Sequence, residues 1–80
     1  MTVFERIRPV IDERFIYEGD LTMETRFAED LGADSLDTAE LAADFEELFG
    51  IDIPDEDLVH IHTVGDVARY IESRLLAVQG

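Results

Sequence analysis

The stretch GADSLDTAELAADFEELFG, Gly32 to Gly50, decides the fold. Leu41, Phe45, Leu48 and Phe49 recur at spacings of three and four, which makes one apolar stripe of helical period. The pattern predicts a helix from about Ser35 to Phe49. Asp34 is placed to accept backbone N–H bonds as its N-cap, and Asp37 lies near the positive end of the helix dipole. Gly50 can take the left-handed conformation that closes a helix. The opposite side carries Leu36, Ala39, Glu40, Ala43, Glu46 and Glu47, small apolar residues among acids. Such a face suits a docking partner or plain solvation.

Working outward, the pattern predicts three more helices and no sheet. Val3, Phe4, Ile7, Ile11 and Phe15 form a stripe for a first helix over about residues 2–15, with Thr2 and Glu5 spaced for a capping box. Pro9 falls inside it, where proline removes a hydrogen bond and crowds the preceding turn, at about 3 kcal/mol. The expectation is a bend, or a helix that starts later than the stripe. Residues 16–34 form a long connection that turns at Gly19-Asp20 and is anchored by Leu21, Met23, Phe27 and Leu31. Ile51 to Pro54 alternates in polarity but is too short and isolated for a strand. Pro54 opens a short third helix, about Asp55 to Ile61, with an acidic first turn. Thr63 caps a fourth helix, with Asp66 completing its box and Val64, Val67, Ala68, Ile71, Leu75 and Leu76 as its stripe.

Eighty residues with a 46% apolar share suit one small domain over 1–80. No apolar run approaches the roughly 20 residues of a membrane span, and the N-terminal residues do not read as a signal peptide. The expectation is a soluble, cytoplasmic monomer. The absence of cysteine excludes disulfides, thiolate metal sites and thiol chemistry from the chain itself. Twenty acids face six basic residues, all arginine. None of the six lies between Arg26 and Arg69. Such a field repels nucleic acid and anionic membranes and steers basic protein surfaces towards the middle of the chain.

The candidate chemistry is narrow. Ser35 does not stand in a G-x-S-x-G elbow, and nothing in the spacing brings His60 or His62 to it as a base. The run IDIPDED has neither the register nor the glycine of a calcium loop, so no metal site is assigned. No catalytic residue is assigned either. Ser35 does sit at a helix start, where backbone N–H groups and the dipole favour an anion such as a phosphate ester. Local chemistry leaves it as a helix-start residue or as the anchor of such a group.

Beyond this local reading, the markers EDLGADSLD, then EL and EELF, then IPDE and TVGDVARYI follow in order from Phe27 to Ile71. In that order the chain resembles the acyl carrier proteins of dissociated fatty acid and polyketide synthases. The resemblance implies an all-α four-helix bundle with a long loop between helices 1 and 2 and a short third helix. It implies 4′-phosphopantetheine attached covalently to Ser35 by a phosphopantetheinyl transferase, the imported thiol carrying acyl groups as thioesters. It implies a carrier rather than an enzyme. It places partner recognition on Asp34, Leu36, Asp37, Glu40, Glu46 and Glu47, read by synthase enzymes with basic docking patches. Ala39 and Ala43 stand on that face where typical fatty acid carriers have bulkier apolar residues. Two other readings share parts of this pattern. One is an unmodified acidic adaptor, the other an aminoacyl or peptidyl carrier.

Overall fold

A computed structural model describes residues 2–79; Met1 and Gly80, the ends of the expected 1–80 domain, lie outside the described residues. The chain folds as a four-helix bundle: α1 (Val3–Arg14), α2 (Ser35–Phe49), α3 (Asp55–Leu58) and α4 (Val64–Gln79). The expected boundaries hold for α2. The third helix is one turn shorter than its spacing predicts, because the chain leaves α3 in a turn at Val59 and His60 that drops Ile61 into the core.

Helix α1 begins where its stripe begins. Thr2 Oγ1 accepts from Glu5 N at 3.1 Å and Glu5 Oε1 accepts from Thr2 N at 2.9 Å, so the capping box is complete. The helix then runs through Pro9 to Arg14. The late start expected from Pro9 is therefore corrected. The proline lies on the exposed side, while the fully buried Ile7 and Ile11 on either side of it hold the helix to the core.

The core joins Ile7 and Ile11 of α1, Leu41, Ala42 and Phe45 of α2, and Val64, Val67, Ala68 and Ile71 of α4. Helix α1 packs on both α2 and α4. Fully burying each of the Ile, Leu, Val and Phe side chains among these contributes about 1.5–3 kcal/mol. Two residues of the expected stripes are displaced outward: Leu48 and Leu76 are exposed. Ala42 is buried on α2, whereas Leu48 lines a groove between α1 and α2. Phe49 is half-buried under the Arg6 guanidinium, 4.6 Å from its ring centroid.

The long connection is fixed to the bundle. Leu21, Phe27 and Leu31 are buried and Met23 half-buried, as the anchors predict. Backbone bonds then stitch the loop to the start of α4. Phe27 N donates to His62 O at 3.0 Å, Val64 N to Thr25 O at 2.9 Å and Gly65 N to Met23 O at 2.8 Å. Arg26 and Thr63 form an isolated antiparallel bridge, the sole β pairing among the described residues. No helix of the described residues is long and apolar enough to cross a membrane.

Candidate functional site

Ser35 is the first residue of α2 and is exposed. Its place is set by a reciprocal cap. Asp34 Oδ1 accepts from Asp37 N at 2.8 Å, and Asp37 Oδ2 accepts from Asp34 N at 3.2 Å. The sequence suggests the first bond; the second makes Asp37 a structural partner of Asp34 as well as a surface acid. These bonds leave the Ser35 hydroxyl out of the cap. They also leave the N–H groups of Ser35 and Leu36 as the first-turn donors without an intrahelical acceptor. At the other end, Gly50 closes α2 with φ 66°, and its N–H reaches Glu46 O.

Ser35 stands on the rim of an open cleft of about 500 Å³ between α2 and the α3 segment. Phe27, Ala33, Ala39, Leu58, Val59 and Ile61 give that cleft an apolar lining. A narrow void of about 10 Å³ lies among Phe27, Leu41, Ala42, Phe45, Leu58, Ile61 and Val67, reaching from the cleft walls into the core. Val59, which lines the cleft, and Leu36, in the first turn of α2, are both 65% exposed. The apolar lining is absent from the sequence reading. Its residues come from the loop, α2 and the α3 segment, and no single periodic stripe links them.

The two histidines separate. His62 lines the same cleft as Ser35, whereas His60 lines a groove on the α4 side with Asp57, Asp66, Arg69, Tyr70 and Ser73. Among the described residues no hydrogen bond joins His62 to Ser35, and no group of His and acidic residues is disposed to hold a metal ion. His62 acts through its backbone, which accepts from Phe27 N and donates to Asp66 Oδ2 at 3.0 Å. Asp66 also completes the α4 box with Thr63, each backbone N–H bonding the other side chain at 3.0 Å. These N–H donors, that of His62 foremost, hold the Asp66 carboxyl below the usual carboxylate range.

The acids of α2 are not equivalent. Glu46 is half-buried and its Oε2 accepts from Ile53 N at 2.8 Å, tying α2 to the segment before α3. Glu40 is paired with Arg14 at 3.0 Å, and Asp44 with the same arginine at 2.7 Å. The bond to Asp44, then that to Glu40, hold the Arg14 guanidinium above its ordinary pKa. Glu47 is exposed beside them, as are Leu36 and Ala43 on the outward side. Asp44 and Arg14 are missed by sequence reasoning, because the contact crosses 30 residues and no local pattern signals it. Tyr70 of α4 pins α3 by donating to Asp57 Oδ2 at 2.7 Å, and burial followed by this bond raises the phenol's pKa.

Comparison with known proteins agrees with this arrangement. Residues 16–71 match the family model described as a phosphopantetheine attachment site. The chain is similar to an acyl carrier protein of Helicobacter acinonychis (strain Sheeba), 50% identical over 78 residues that cover 96% of this chain and 100% of the relative. It is also similar to an acyl carrier protein of Wolinella succinogenes, 49% identical over 74 residues covering 91% and 97%. Among solved structures, a chain from Mycobacterium tuberculosis assigned as an acyl carrier protein superposes with a TM-score of 0.82 at 30% identity, covering 90% of this chain and 97% of that one.

Proposed function

The chain belongs to the acyl carrier proteins, the family whose members carry 4′-phosphopantetheine, and from that premise we propose that Ser35 is the attachment point and α2 the face that partner enzymes read. The observation that carries the reading is the position of Ser35: an exposed hydroxyl at a capped helix start, on the rim of an apolar cleft. The attached group supplies a terminal thiol, which bears acyl chains as thioesters. The chain's own residues hold and present that group. The unengaged N–H donors of Ser35 and Leu36 and the α2 dipole favour the phosphodiester's charge. Asp34 and Asp37, which form the reciprocal cap next to Ser35, carry like charge that would oppose a tight clasp on the phosphodiester. The cleft lined by Phe27, Ala39, Leu58, Val59 and Ile61 offers the first part of an acyl chain a refuge from water.

On this reading residues 1–80 form one carrier domain, a monomer of the cytoplasm that does no chemistry on its cargo. A phosphopantetheinyl transferase installs the arm from coenzyme A. Separate enzymes of fatty acid biosynthesis, or of a specialised acyl or polyketide pathway, then dock by basic patches. The recognition residues are Asp34, Leu36, Asp37, Ala39, Glu40, Ala43, Glu46 and Glu47. Charge pairing of this kind speeds encounter and sets orientation more than it tightens binding, which suits a carrier that must also leave.

The test is intact mass spectrometry after incubation with coenzyme A and a phosphopantetheinyl transferase. The wild type gains the mass of one arm and Ser35→Ala gains none. An unmodified wild type with several transferases, or a modified Ser35→Ala, rejects the assignment.

A further inference from the structure

The α1 edge of the acidic helix α2 already holds a guanidinium. Arg14, the last residue of α1, bonds Asp44 Oδ2 through Nε at 2.7 Å and Glu40 Oε2 through Nη1 at 3.0 Å. Glu40 and Asp44 stand one helical turn apart on one edge of α2, and the planar fork spans both. This is the edge that faces α1. Ser35 and Ala39 lie on the other edge, towards the α3 segment. Beside Arg14 an open groove of about 580 Å³ runs between α1 and α2, lined by Val10, Glu13, Glu47 and Leu48 as well as Arg14 and Asp44. Leu48, expected in the core, stands 38% exposed there.

We propose that Arg14 is an internal stand-in for an arginine of the docking partner, and that it sets which partners can engage the α1 edge of α2. The inference rests on reading α2 as the docking face. In the free protein Arg14 occupies the place between Glu40 and Asp44. A partner that inserts its own guanidinium there displaces it, and gains the apolar groove wall of Val10 and Leu48. The exchange is feasible because the resident contact is a weak one: the Arg14 side chain is 31% exposed, and those of Glu40 and Asp44 are 49% and 39% exposed. It favours arginine over lysine, because an ammonium is a point charge that does not span two carboxylates in a fixed plane. A partner that contacts only Asp34 and Asp37, at the Ser35 end of α2, leaves Arg14 where it is. The α1 edge thereby discriminates between two kinds of basic partner.

The experiment measures kinetics of arm transfer by a phosphopantetheinyl transferase with an arginine-bearing docking patch, at low and high salt. Arg14→Gln is expected to lower KM for the carrier by about two- to tenfold at low salt with kcat unchanged, as the removal of weak exposed pairs allows. Arg8→Gln removes the same charge from the same helix, at a residue that bonds neither Glu40 nor Asp44, and is expected to change KM little. Glu47→Gln is expected to raise KM. An unchanged KM for Arg14→Gln beside a raised KM for Glu47→Gln overturns the stand-in role and leaves the docking face standing. An equal gain from Arg8→Gln also overturns it, since the effect is then one of total charge. No response to any of the three overturns the docking reading itself. Circular dichroism checks that the variants fold. Should Arg14→Gln fail to fold, Arg14→Lys carries the test, with a smaller fall in KM expected. In the wild type, the Arg14 Nε–H resonance should lose its exchange protection as the transferase saturates; a resonance that keeps it rejects displacement.

Discussion

At the scale of single residues, Gly65 is the most tightly enclosed of the glycines within the described residues. A Cβ there would meet Met23 O at 2.8 Å, the same oxygen that accepts the Gly65 N–H. The guanidinium nitrogens of Arg69, at 3.2 and 3.3 Å, can swing away, but the backbone oxygen cannot without opening the loop. Helix propensity alone favours alanine by up to about 1 kcal/mol. The steric term is larger, of order 1–3 kcal/mol. Gly65→Ala is therefore expected to lower the melting temperature by roughly 5–15 °C in a domain of this size, measured by circular dichroism. A rise would show that the loop yields. Asp66 makes a second residue-scale case. Its folded pKa lies below the unfolded value, so its bonds add stability above the ordinary carboxylate pKa of about 4, and that stability is lost as pH falls through the folded pKa. Asp66→Asn should thus be less stable than the wild type at neutral pH, and the gap should close in acid. A gap independent of pH contradicts a charge-dependent cap.

Among the elements, α1 is the one in which local chemistry and packing disagree. Pro9 cannot donate to Glu5 O, yet the box at Thr2 and the burial of Ile7 and Ile11 carry the helix past it. Pro9→Ala restores the missing bond and removes the clash. Against this stands the added entropy of the unfolded chain, up to about 1 kcal/mol. The net expectation is a gain of about 1–2 kcal/mol in urea denaturation, and a loss would mean that the proline is better accommodated than its chemistry suggests. Much at this scale was legible from spacing alone: three long helices, their caps at Thr2, Asp34 and Thr63, the short third helix and the anchors of the loop. The family markers singled out Ser35 and the acidic face. What spacing could not convey is contact between elements. The Arg14 pairs, the Glu46–Ile53 tie and the apolar cleft are made by residues distant in sequence, and Leu48 and Leu76 look buried until the neighbouring helices are in place.

For the molecule as a whole, a net charge of −14 sets the dominant long-range term. Like charges on a compact body repel, and the repulsion eases when the chain expands. Moderate salt or Mg²⁺ should raise the melting temperature by screening, although it also weakens the solvent-screened Arg14 and Arg26 pairs. A flat or falling melting temperature would show that those pairs outweigh the repulsion. The stitching of residues 23–27 to residues 62–65 has a kinetic side. Its bonds join positions almost half the chain apart, so they form only after a large ring has closed, and closing that ring costs entropy before any bond rewards it. The amides of Phe27, Val64 and Gly65 should therefore gain their isotope-exchange protection late in refolding. Once latched, they should shield the loop leading to Ser35 from proteases that cut chains of its length elsewhere.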